Sequence, residues 1–228
     1  MKPAPFDYVL AGTADEAVEA LGRHRDEAKV LAGGQSLVPM LNMRLSRPAV
    51  VVDINGAAEL DYLDESDGML AVGALTRQRK LERWAATSVP LIAEALRWVG
   101  HMAIRTRGTV AGSIAHADPS SELPALLLCL DGAVVARRVG GERVIPAGDL
   151  YLAPLTTALR ADELVTEVRF TLPRPEAGWG FAEVARRHGD FALVGAAALL
   201  WRGAGGTVAG ARLAFFGVGA KPVRGEAA

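Results

Sequence analysis

A single cysteine, Cys129, is all the thiol chemistry this 228-residue chain offers. It lies inside an apolar run, where it fits a buried small hydrophobe better than a ligand or nucleophile. An iron–sulfur cluster needs about four thiolates, so the chain cannot hold one by itself. Histidine is also scarce: His24, His101, His116 and His188 form no i, i+4 pair and no HExxH arrangement, which argues against a metal site. Long apolar runs are missing too. The longest uncharged ones, residues 123–130 and 191–201, fall well short of the ~20 residues that cross a bilayer. Residues 1–11 carry Lys2, Asp7 and two prolines where a signal peptide would place a basic flank and an apolar stretch. These absences predict a soluble, cytoplasmic protein with no membrane span. Neither sign of charge dominates: 25 basic against 26 acidic residues leave a formal charge of −1, with no basic stripe to release counterions from a nucleic acid.

What is present is apolar material for a substantial core, 50% of the residues, and a readable order of elements. Thr13-Ala14-Asp15-Glu16 is a capping box that predicts a helix through about His24, with Ala17, Val18, Ala20 and Leu21 on one face. A strand over residues 29–32 then runs into Gly33-Gly34-Gln35-Ser36, and residues 37–45 have helical spacing with Pro39 in the first turn. The β-branched run 50–54, bounded by Asn55-Gly56, completes a small α/β unit. A strand at 70–72, helices at 76–84 and 90–99, and a helix at 121–130 with Ser121 as N-cap follow. Residues 133–137 and 143–145 read as a hairpin around Gly140-Gly141, and 164–172 as a further strand. Pro173, Pro175 and Gly178 break the chain, after which 180–186, 194–202 and 208–217 predict an antiparallel sheet with little helix.

Two segments carry candidate chemistry. In Lys29-Val30-Leu31-Ala32-Gly33-Gly34-Gln35-Ser36-Leu37 a strand delivers the chain into two glycines and a helix start. Glycines permit positive φ and close backbone approach, so successive N–H groups can converge on a phosphate. The same pattern also suits a plain strand-to-helix turn, and it is neither GxGxxG nor a P-loop. The second segment, residues 107–122, packs small residues, hydroxyls and carboxylates before a helix. Small residues admit a flat or extended ligand, while Ser121 and Glu122 can hydrogen-bond sugar-like hydroxyls; alternatively Asp118 and Ser121 simply end a turn and cap the next helix.

Ala-Gly-Gly-Gln-Ser-Leu at 32–37, then Arg105-Thr106-Arg107-Gly108-Thr109-Val110-Ala111-Gly112-Ser113 and His116-Ala117-Asp118-Pro119-Ser120-Ser121-Glu122-Leu123-Pro124, resemble the FAD subunit of molybdenum hydroxylases. That family includes the carbon monoxide dehydrogenase medium subunit and the xanthine dehydrogenase flavin subunit. Ala185-Arg186-Arg187-His188-Gly189-Asp190-Phe191-Ala192 and Gly217-Val218-Gly219-Ala220-Lys221-Pro222-Val223-Arg224 extend the likeness over nearly the whole chain.

The resemblance implies an α+β fold in which two α/β subdomains clasp FAD (the PCMH-type fold), at 1–56 and 57–172. A small antiparallel-sheet domain at 173–228 follows, expected to be incomplete. It implies that Lys29, Val30, Leu31, Ala32, Gly33, Gly34, Gln35, Ser36 and Leu37 wrap the FAD diphosphate. Thr109, Val110, Ala111, Gly112 and Ser113 give a second clasp, and Gly100 approaches the flavin from a helix end. Ser121 and Glu122 reach the ribityl or phosphate region, Leu164 packs on the cofactor, and Arg187 sits near the isoalloxazine. Where the family commonly shows Gly-Gly-Asn, this chain has Ala111-Gly112-Ser113, adding a methyl and exchanging an amide for a hydroxyl; the expectation is weaker FAD binding or a shifted pose. FAD should be non-covalent. No residue of the chain is expected to be catalytic. The molybdenum cofactor and [2Fe-2S] clusters belong on a large and a small partner subunit, in a dimer of heterotrimers, with NAD, oxygen, a quinone or a cytochrome as acceptor. A free-standing FAD-dependent oxidoreductase and a non-catalytic flavin-binding assembly module are the alternatives.

Overall fold

The computed structural model describes residues 2–225. It opens with β1 (Asp7–Leu10), α1 (Ala14–His24), β2 (Ala28–Leu31), α2 (Leu37–Asn42) and β3 (Val50–Asp53). The three strands form a parallel sheet in the order β1-β3-β2. Central β3, Val-Val-Val-Asp, is buried along its length, as a parallel strand covered on both faces should be. The capping box forms: Thr13 accepts from the Glu16 N–H at 3.2 Å. Its reciprocal half is displaced by one residue, because Glu16 Oε2 accepts from the N–H of Gly12, at 2.7 Å. The predicted helix at 37–45 stops at Asn42; Arg44 takes φ +59, and the Leu45 N–H turns back to Met40 O.

The middle of the chain contributes β4 (Leu63–Ser66), β5 (Met69–Gly73), α3 (Gln78–Ser88), α4 (Pro90–Trp98), α5 (Met102–Arg107), α6 (Val110–His116) and α7 (Glu122–Cys129). After these come β6 (Ala133–Arg138), β7 (Gly141–Pro146), α8 (Ala147–Leu150), β8 (Tyr151–Ala153), β9 (Thr156–Thr157) and β10 (Leu164–Thr171). An antiparallel sheet runs β4-β5-β10-β6-β7. Its central β10 pairs Val168 with Val72 on one side and Val134 on the other. Every residue of α7 is buried, as befits a helix that is apolar all round. It packs against α4 and against the last sheet, which is built from β11 (Gly178–Ala185), β12 (Ala192–Arg202), β13 (Val208–Phe216) and β14 (Val223–Arg224), antiparallel and in sequence order.

The α+β architecture with an antiparallel C-terminal sheet agrees with the expectation. One departure matters for the site. Residues 110–116, expected as a run of small residues, are helical, because Thr109 caps them by accepting from the Gly112 N–H at 3.1 Å. No helix among the described residues is long and apolar enough to cross a membrane.

Candidate functional site

A cavity of about 590 Å³ opens where the loop after β2, the α5–α6 corner, the start of α7 and the approach to β12 converge. That size falls within the ~300–1,000 Å³ common for small-molecule sites. On the first loop Gly34 has φ +72. The first backbone bond into α2 is Val38 N–H to Gly34 O, at 3.0 Å. Among the described residues no acceptor is found for the N–H groups of residues 33–37, so the loop brings uncommitted amide donors to the cavity wall. Opposite it, the second loop is fastened by Val110 N–H to Thr76 O, at 3.0 Å, and by the Thr109 cap. The loops touch: a Cβ on Gly33 would stand 2.5 Å from Arg107 O and 2.7 Å from Gly108 Cα.

Carboxyl groups in and behind the wall are in unlike states. Glu122 is 7% exposed, and burial pushes its pKa up to about 8, with Glu183 and Asp118 adding to the rise and Arg105 opposing it. Glu183, behind it on β11, has both oxygens buried without a hydrogen-bond partner and is raised by burial to about 7. For Glu163, burial also favours the neutral form. There the Arg143 guanidinium, at 2.7 and 2.8 Å, and the Arg160 N–H, at 2.7 Å, outweigh it and hold the carboxyl below the usual range. Gln78, buried on the wall, has an Oε1 with no partner.

Uncommitted N–H donors suit phosphate oxygens, and a buried carboxyl and an orphaned amide oxygen lining the same cavity suit ligand hydroxyls. These residues therefore fit an extended dinucleotide. Backbone strain gathers nearby: Leu155, on the wall, and Ala117 both have φ +55, joined by Leu155 N–H to Ala117 O at 3.0 Å.

Of the residues predicted from sequence, Lys29, Val30, Ala32, Gly33, Gly34, Gln35, Ser36 and Leu37 line the cavity, as do Thr109, Ala111, Gly112 and Ser113. Gly100, with φ +48, Ser121, Glu122 and Leu164 lie on the same wall. Leu31, Val110 and Arg187 do not. Leu31 belongs to β2, and Val110 is wholly buried in the core. The Arg187 side chain is 84% exposed and pairs with Asp190 at 3.1 Å, while its neighbours Gly189, Asp190 and Phe191 take the place on the wall expected of it. That loop is held to the Gly100 turn by Trp98 stacking on His188, ring centroids 5.2 Å apart. Lining residues that sequence reasoning missed include Met40, Gln78, Leu155, Leu159 and Glu163. Nothing in their local pattern marks them; the aromatic following Gly189-Asp190 was the one available signal.

Two glycine-bearing loops line one cavity beside a separate antiparallel sheet, and comparison with known proteins says which class of protein this is. Residues 4–175 match the family described as the FAD binding domain in molybdopterin dehydrogenase, and residues 179–228 match the CO dehydrogenase flavoprotein C-terminal domain; the chain belongs to this family. It is 42% identical to 6-hydroxypseudooxynicotine dehydrogenase complex subunit alpha of Paenarthrobacter nicotinovorans, over 98% of this chain and 76% of that one. Caffeine dehydrogenase subunit beta of Pseudomonas sp. (strain CBB1) is 41% identical over 98% and 77%. Among solved structures, carbon monoxide dehydrogenase from Hydrogenophaga pseudoflava superposes with a TM-score of 0.94 at 34% identity, covering 98% of this chain and 78% of that one. Quinoline 2-oxidoreductase from Pseudomonas putida 86 gives 0.91 at 36%, again over 98% and 78%. The chain is an FAD-binding oxidoreductase subunit of the molybdenum hydroxylase type.

Proposed function

We propose that the chain carries electrons within a heteromeric molybdenum hydroxylase. It receives them from iron–sulfur clusters on a small partner subunit, which a large molybdenum-cofactor subunit supplies from substrate, and delivers them to an external acceptor. When bound, FAD supplies the redox chemistry. The chain's residues bind and orient it. In this reading the amides of 33–37 hold the diphosphate, residues 109–113 form the second clasp, and Ser121 and Glu122 hydrogen-bond the ribityl or phosphate region. Gly100 gives the flavin room, Leu164 packs on it, and the Arg187 loop reaches the isoalloxazine through Gly189, Asp190 and Phe191 rather than through the exposed Arg187 side chain. Glu122, neutral at pH 7 because its pKa is pushed up to about 8, can donate a proton in a hydrogen bond as well as accept one. No nucleophile or general acid–base is required of the chain for this role.

The observation that carries the reading is that residues 33–37, whose N–H groups make no backbone hydrogen bond among the described residues, and residues 109 and 111–113 line one cavity. We further infer a division at 1–56, 57–172 and 173–228, a dimer of heterotrimers, and a cytoplasmic location. FAD should be non-covalent. Protein loaded with FAD and precipitated with acid should leave the flavin in the supernatant; yellow colour in the pellet contradicts non-covalent binding, and protein that takes up no FAD at all contradicts the whole reading.

A further inference from the structure

The first cradle loop leaves a strand of the parallel sheet and the second joins α5 to α6, so their separation is set by contacts between them. Two side chains that are not on the cavity wall make that connection. Asn55, just past β3, donates from Nδ2 to Ala32 O on the first loop at 2.9 Å. The same residue is held by Asp53, whose Oδ1 accepts from Asn55 Nδ2 at 2.6 Å and from its N–H at 2.8 Å, while Tyr8 OH donates to Asp53 Oδ2 at 2.6 Å. Asn55 Oδ1 accepts from Arg77 Nη2 at 2.7 Å. Arg77 Nη1 then donates to Arg107 O at 2.9 Å. Arg107 O is the atom closest to the missing Cβ of Gly33, so the hydrogen-bonded path Ala32–Asn55–Arg77–Arg107 crosses between the loops where they touch. The backbone around Arg77 is itself fastened to the second loop, through Gln78 N–H to Gly108 O at 2.9 Å and Val110 N–H to Thr76 O at 3.0 Å.

We propose that Asn55 and Arg77 are positioning residues that act in series to fix the spacing of the two loops, and with it the spacing of the two sets of groups that grip the dinucleotide. The proposal rests on the FAD reading given above. The residue types suit the task. A carboxamide carries a donor and an acceptor on opposite corners, so Asn55 can link a carbonyl to a guanidinium; neither Asp nor Leu can do both. The planar guanidinium reaches two acceptors at once, and a lysine ammonium reaches them less well.

Links in series fail together. Asn55→Leu and Arg77→Met in the full chain should each weaken FAD binding about tenfold, and the double variant should be no weaker than the poorer single one. Arg77→Lys, keeping one of the two bonds, should bind FAD with an affinity between those of wild type and Arg77→Met. FAD dissociation constants by fluorescence quenching, with circular dichroism of the flavin-free proteins as the folding control, read all of this. Variants that bind as tightly as wild type, or losses that simply add in the double variant, overturn the proposal. Should Arg77→Met fail to fold, Arg77→Lys takes its place in the cycle, and the same two outcomes decide. Wild-type protein that binds no FAD contradicts the earlier reading instead, a result distinct from either.

Discussion

Adjacent glycines in the first loop meet different physical demands. Gly34 needs its φ of +72, which costs an L residue roughly 1–2 kcal/mol. Gly33 needs no unusual φ; a side chain there would strike the backbone of the second loop, 2.5 Å from Arg107 O. Gly34→Val should therefore lower FAD occupancy about tenfold or more while leaving helix and strand content near wild type, measured by flavin absorbance and circular dichroism on one sample. Equal loss of both would mark the loop as a folding requirement. Glu122 supplies a pH prediction. Its carboxyl moves from an ordinary 4.5 to about 8 on burial, and Glu183 moves in the same direction, to about 7. The folded protein then keeps protons that the unfolded chain has already released, so stability is complete below about pH 4.5 and declines as pH rises towards about 8. Flavin-free Glu122→Gln, which cannot ionise, should lose part of that decline in thermal melts taken across the window; an unchanged slope would remove Glu122 as its source. None of this burial could be read from Glu122 in the sequence, where the residue serves equally well as a solvated first-turn acid.

Elements differ in how much of their own cause they carry. The first helix announces itself through Thr13 and Glu16, and the β6–β7 hairpin through Gly140-Gly141; both form where expected because their signals are local. Strands β1, β4 and β14 escaped notice, since two to four residues at a sheet edge leave no period to detect. Helix α6 escaped for another reason: Val-Ala-Gly-Ser-Ile-Ala-His is short and holds a glycine, and the Thr109 cap with its anchor to Thr76 decides the outcome. The same limit hid part of the cavity. Leu155 and Leu159 reach the wall only because β8 and β9 turn back towards α6, a long-range event no window of sequence displays. Helix α7 joins the middle of the chain to the last sheet, and Leu126 within it is fully buried. Leu126→Ala should cost about 2–5 kcal/mol in denaturant unfolding. Leu152→Ala, at a residue 60% exposed, should stay within ~0.5 kcal/mol. Similar costs at the two sites would mean that α7 is not the joint described here.

At the scale of the whole molecule the decisive quantity is thiol count. The chain has one cysteine, and Cys129 is wholly buried, its thiol pushed up to about 11 by that burial. A protonated thiol inside the core is no cluster ligand, and one would not suffice. If the chain works as an electron carrier of a molybdenum hydroxylase, the clusters that feed it must be supplied by another polypeptide, docked close enough to reach the bound flavin. The isolated chain should then bind FAD yet fail to oxidise any small organic substrate of these enzymes, whereas the complex reconstituted from separately purified subunits should oxidise its substrate with concomitant bleaching of the flavin absorbance. Anaerobic mixing separates the possibilities: the chain alone with substrate should leave the flavin oxidised, and addition of the partner subunits should reduce it. Substrate oxidation by the single chain at a rate comparable with the complex would remove the need for partners, and a free-standing flavoenzyme would replace the relay.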